Sequence, residues 1–204
     1  MSLLNTIKSK PGLKKILHWL IIPSGQARPR LWVRWFVNPF VHQKGKGTII
    51  RFNTRMDLFP FNKFTIGSNS IIEDYATINN GVGDVYIGNH VGVGLSNVII
   101  GPVKLGDYVM LAQNIVISGL NHGYEDVSVP PRLQKVVTKQ ITIEDNVWIG
   151  ANSVITAGIT IGKHAVVGAG SVITKDIPAF SVAVGNPARV IKKYNFETGS
   201  WQKV

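Results

Sequence analysis

Five histidines are the side chains of this sequence best suited to proton transfer at neutral pH, and His122 stands apart by its setting. It lies in Gly119-Leu-Asn-His-Gly-Tyr-Glu-Asp126, where a regular pattern of aliphatic residues breaks off into a long loop. An imidazole placed there can take the proton from an attacking hydroxyl. Glu125, Asp126 or a backbone carbonyl can supply the acceptor that orients the ring, and the sequence does not choose among them. His90 and His164 occupy outward positions of ordinary repeats, and His18 and His42 lie in a basic N-terminal stretch, so all four read as structural or solvent-facing. Cysteine is absent, which excludes a thiol nucleophile, a disulfide framework and Cys-ligated zinc. A reducing compartment, the cytoplasm, is the expected location.

The scaffold that must hold His122 is written with a period of six. Aliphatic residues recur at that step from Ile66 to Ile78, from Ile87 to Ile117 and from Ile143 to Ile173. Glycine or an acidic residue often follows, as in Ile66-Gly67, Ile72-Glu73 and Ile161-Gly162, and a small or β-branched residue comes three later, as at Ala76, Val109, Ser153, Ala165 and Ser171. Six fits neither the helical period nor a lone alternating strand. It suits a short strand and a corner repeated around a three-sided prism, each coil stacking its aliphatic residue on the one below. Glycine and asparagine near the corners supply the positive φ that sharp turns need. A β-sandwich with accidental spacing would not put fifteen aliphatic positions in phase. Two steps break the pattern: nine residues from Ile78 to Ile87, and twenty-six from Ile117 to Ile143. The second is a loop thrown out of the coil, carrying Pro130, Pro131, Arg132, Lys135 and Lys139, and such loops on a rigid scaffold tend to carry binding residues. Asn79, Asn80 and Asp84, around the first break, are read as turn formers before sugar ligands.

The stretch around His122 is joined by Ile143-Glu-Asp-Asn-Val-Trp-Ile-Gly150 after the loop, and by Val172-Ile-Thr-Lys-Asp-Ile-Pro178 and Val184-Gly-Asn-Pro-Ala-Arg-Val-Ile191 near the end. With these motifs residues 64–193 resemble the hexapeptide-repeat acyltransferases, in particular the maltose and galactoside types and the sugar O-acetyltransferases of surface-polysaccharide assembly. The resemblance implies an all-β, left-handed parallel β-helix, although the spacing itself carries no handedness and parallel crossovers are otherwise right-handed. It implies a homotrimer, with acetyl-coenzyme A as cosubstrate in the cleft between adjacent prisms and no metal. It implies His122 as the base for direct attack of a sugar or glycan hydroxyl on the thioester. Trp148 would flank the pantetheine, Ser153 and Ala157 would lie along that arm, and Thr174, Lys175 and Arg189 would meet the nucleotide end. N-acyl transfer to an amino sugar and a non-catalytic structural solenoid are the alternatives. A zinc-dependent carbonic anhydrase on the same scaffold would need a histidine where this sequence has Ile117.

The net charge of +11 is confined to one end: residues 1–55 hold eleven Lys and Arg and no acidic residue. The expected organisation is a basic amphipathic segment at 1–55, the β-helix at 56–193 with its extruded loop at about 123–140, and a tail at 194–204. Leu13, Ile16, Leu17, Leu20 and Ile21 follow helical spacing, and Pro23 stops the helix. Arg28, Arg30 and Arg34 then lie among Trp32, Trp35 and Phe36, a mixture that suits an anionic membrane surface. Residues 1–40 are therefore expected either to contact such a surface, at the inner membrane face, or to pack against the prism as its cap. No nucleic-acid reading motif accompanies the charge. No apolar run approaches the ~20 residues of a membrane span, and no secretory signal is expected.

Overall fold

The computed structural model describes residues 11–204, so the first ten residues of the basic segment, with their share of the expected membrane contact, lie outside the described residues. From Gln43 onward the chain winds as a left-handed parallel β-helix of about 6 turns, each turn giving one short strand to each of three parallel sheets. Register explains the period of six. Ile66, Ile87, Leu105, Ile143 and Ile161 stack in one sheet. Ile72, Val93, Leu111, Ile149 and Val167 stack in the second, and Ile78, Ile99, Ile117, Ile155 and Ile173 in the third. All fifteen side chains are buried, and together they form half of one continuous core. At roughly 1.5–3 kcal/mol for each buried aliphatic side chain, these ladders are the main stabilising term.

The ladders start earlier than the run from Ile66 indicates. Lys44, Ile50 and Met56 pair in register with Ile66, Ile72 and Ile78, so a first coil is made from the end of the basic segment. Corners take left-handed backbone at Asn69, Asn114, Asn146 and Asn152, as expected, and also at residues with rings. His90 stacks on Tyr108 with centroids 4.7 Å apart, and His164 on Phe180 at 5.3 Å, so these two histidines extend the corner columns.

Two ends close the prism differently. At the base, helix Pro11–Ile21 runs into a turn and the short helix Leu31–Phe36. The last carbonyls of the first helix are satisfied by this neighbour: Arg30 Nε donates to the Trp19 carbonyl at 3.1 Å and Trp32 Nε1 to that of Leu20 at 3.2 Å. Ile21, Val33 and Phe59 bury a small second core, while Leu13, Ile16, Leu17 and Leu20 remain exposed. Among the described residues no helix is long and apolar enough to cross a membrane. At the other end Arg189–Asn195 folds back antiparallel onto Ser181–Val184, and Ser200–Lys203 adds a further antiparallel strand.

Candidate active site

The long insertion leaves the prism after Val116–Ser118 and returns at Ile141–Ile143. It forms an antiparallel arm, with Leu120–His122 paired to Val136–Thr138 and His122 opposite Val136. β-Branched Val136, Val137 and Thr138 favour extended backbone, whereas Pro131 starts a 3-10 turn over Pro131–Leu133. Toward the prism the Lys139 N–H donates to the Gly119 carbonyl at 2.9 Å, and just past His122 the Gly123 N–H donates to the Lys135 carbonyl at 3.2 Å. Gln134 cross-links the outer half, its amide nitrogen donating to the Asp126 and Val129 carbonyls at 2.8 and 2.7 Å. The backbone of His122 is thus held from both sides. Its imidazole is exposed and, among the described residues, has no hydrogen-bond partner.

Both candidate orienting acids are engaged within the arm itself. Glu125 accepts from the Tyr124 N–H at 2.9 Å, and Asp126 accepts from the Ser128 hydroxyl at 2.6 Å and its N–H at 2.9 Å. The Tyr124 and Glu125 N–H groups hold the Glu125 carboxyl below the usual carboxylate range, and the Ser128 hydroxyl and N–H do the same for Asp126. Within one chain neither acid hydrogen-bonds His122.

Three of the remaining expected site residues, Ala157, Thr174 and Lys175, gather along one edge of the prism. Ile117 pairs with Ile155 and Ile155 with Ile173, so Gly119 at the arm root, Ala157 and Lys175, each two residues further on, form a column. A Cβ on Gly158 would lie 3.1 Å from Lys139 Cδ, which puts the arm root against this corner. Thr174 and Lys175 are exposed at the top of the column. Arg189 lies toward the same end of the prism but outside this column, paired with Val184 on the neighbouring sheet, while the adjacent Ala188 N–H donates to the Val172 carbonyl at 2.9 Å. Trp148 is on a different sheet, half-exposed between Met110 and Val166. Ser153 points inward: it is fully buried, and its hydroxyl donates to the carbonyls of Gly150 at 2.8 Å and Gly168 at 3.3 Å. The break around Asn80 is likewise built by internal bonds. Asn80 Oδ1 accepts from the Phe59 N–H at 2.7 Å, and its amide donates to the carbonyls of Phe59 and Asn62.

The sequence reading assigned no role to Asp57, the first acidic residue of the chain. It is 1% exposed and ion-paired with Arg55 at 2.7 Å and Arg28 at 3.5 Å. Burial pushes its carboxyl above the usual range against the opposing pull of Arg55, Arg28 and Arg34. Among the described residues no cluster of three or more His, Asp and Glu is arranged to hold a metal ion.

Residues 140–175 match the family model described as the hexapeptide repeat of succinyl-transferase. Over 189 residues, 92% of this chain, the sequence is 29% identical to a Mycobacterium tuberculosis protein named as an acetyltransferase. Over 108 residues, 50% of this chain, it is 33% identical to an Escherichia coli protein named for O-acetyl transfer in lipopolysaccharide biosynthesis. The chain carries the hexapeptide repeat and is similar to acetyltransferases over most of its length. This hexapeptide-repeat chain spans 59% and 55% of the lengths of those two relatives. Its fold matches a mutant of AntD, an N-acyltransferase from Bacillus cereus in complex with dTDP-4-amino-4,6-dideoxyglucose and coenzyme A. The TM-score is 0.67 over 76% of this chain and 86% of that one, at 22% identity.

Proposed function

We propose that this hexapeptide-repeat protein transfers an acetyl group from acetyl-coenzyme A to a hydroxyl of a sugar or glycan. The observation that carries the reading is His122, an exposed imidazole on an arm whose backbone is hydrogen-bonded on both sides of it. A ring nitrogen removes the hydroxyl proton as the oxygen attacks the thioester carbonyl. The tetrahedral intermediate then collapses, and the departing thiolate takes the proton from the imidazolium.

Thr174, Lys175 and Arg189 supply hydrogen-bond donors and positive charge for the nucleotide phosphates, and the pantetheine descends past Ala157 toward the arm. Ser153 takes part only through its main chain, its hydroxyl being committed inside the coil. Because Trp148 stands on another face of the same prism, a cosubstrate flanked by both Trp148 and the Ala157 edge lies between two prisms. A homotrimer provides such clefts. The arm supports this assembly, since Val127 is 100% and Leu133 74% exposed, apolar surface that a neighbouring subunit would cover.

The acceptor is read as a polysaccharide or lipid-linked glycan, as the name of the Escherichia coli relative also suggests. The exposed apolar and cationic face of residues 11–40 suits a cytoplasmic protein peripheral at the inner membrane face. Replacing His122→Ala is expected to lower turnover by roughly 10²–10⁴-fold while leaving coenzyme A affinity nearly unchanged. A variant that keeps most of its turnover removes His122 as the base.

A further inference from the structure

We propose that Arg28, Arg34 and Arg55, gathered around the buried carboxylate of Asp57 at the base of the prism, form a binding pocket for a phosphate group. The pocket is a recess of about 230 Å³ whose rim includes Phe52 and Asn53, and it lies outside the column of residues assigned to acyl transfer.

The way Asp57 holds its arginines is what makes them available. Arginine–carboxylate pairs are frequently bidentate, with two parallel bonds that use up the outer nitrogens of the fork. Here both contacts run through Nε, from Arg55 at 2.7 Å and from Arg28 at 3.5 Å. The terminal nitrogens of both have no hydrogen-bond partner among the described residues, and the two side chains are 40% and 50% exposed. Asp57 therefore acts as a buried post that hydrogen-bonds Arg55 through Oδ2 and ion-pairs the looser Arg28 through Oδ1, which accepts no hydrogen bond, and it leaves the outer nitrogens of both guanidiniums unused in the lining of the recess. Arg34, also lining it, has neither an ion pair nor a side-chain hydrogen bond among the described residues. Three cations around one carboxylate leave a net charge of two positive, in a stretch of sequence with no other acid before residue 57. A tetrahedral dianion with several acceptor oxygens matches that surplus of charge and donors. Phe52, 99% exposed at the rim, gives the phosphate an apolar neighbour, as the headgroup of a lipid would have.

The inference stands apart from the acyl-transfer reading, and its test reads a different quantity. Full-length protein is sedimented with phosphatidylcholine vesicles with and without phosphatidic acid, and titrated separately with inorganic phosphate. An Arg28→Gln/Arg34→Gln double variant is compared with the charge-matched Lys46→Gln/Lys63→Gln, both lysines being exposed and outside the recess. Arg34→Gln alone serves as the variant that breaks no ion pair. The double arginine variant is expected to lose affinity for phosphatidic acid vesicles about tenfold beyond the loss of the lysine variant. Arg34→Gln should lie between, and acetyl-coenzyme A affinity should be unchanged in all. Saturable binding of inorganic phosphate with the same arginine dependence assigns the pocket to any phosphate group, whereas arginine-dependent binding of vesicles alone assigns it to a lipid headgroup. Equal losses in the two double variants, or binding of neither probe, would overturn the pocket.

Discussion

His122 and Asn80 illustrate how residue type and residue direction separate. The Asn-His-Gly-Tyr stretch marked His122 as the candidate base, and the structure leaves its imidazole exposed on a paired backbone. Asn80 belongs to a type able to bind either sugar or backbone, and only the coordinates show it turned inward, fully buried with its amide used on both sides. Replacing Asn80→Ala leaves the Phe59 N–H and the Asn62 carbonyl unpaired and takes the shorter of two donors from the Phe59 carbonyl. It is expected to cost about 2–4 kcal/mol of stability, read from the urea unfolding midpoint, with little effect on coenzyme A affinity in the folded fraction. An unchanged midpoint would contradict the structural role. Ser153 was legible in position but not in direction. It falls four residues past Ile149, as Ala165 falls four past Ile161 and Ser171 four past Val167, and all three are fully buried. The corner geometry that turns this position inward is invisible without the coil.

Among the elements, the fifteen-residue aliphatic pattern was enough to give the three ladders, because each rung repeats one local solution and errors do not accumulate. The first coil escaped for two reasons. Lys44 occupies an inward register position, and the step from Met56 to Ile66 is ten residues rather than six. The arm was legible as a break and not as a β-structure, since its strands are short and separated by prolines. Its root depends on Gly119, where a Cβ would lie 2.7 Å from the Pro102 carbonyl oxygen and 2.8 Å from the Pro102 ring. Neither neighbour is a flexible side-chain end. Gly119→Ala is therefore expected to displace the arm at a cost of about 1–3 kcal/mol, lowering kcat while coenzyme A affinity changes less. Unaltered kcat would show that catalysis does not depend on the arm's placement.

As a whole molecule the prism is asymmetric along its axis and incomplete around it. The basic helices and the arginine recess occupy the base, and the cationic trio Lys175, Arg189 and Lys192 lies toward the other end. Around the axis, Trp148 and the edge carrying Ala157 and the arm belong to different faces, so on the proposed function one chain would supply two halves of different clefts. This partition was beyond the sequence, in which Trp148 and Ala157 are neighbours only nine residues apart. The most direct test is calorimetric titration of the purified protein with acetyl-coenzyme A, alongside light scattering to fix the mass of the assembly. Saturable binding near one molecule per chain is expected, on an assembly three times the 22.3 kDa chain mass. A folded trimer with no detectable binding up to ~1 mM would contradict acyl transfer and leave a structural solenoid in its place.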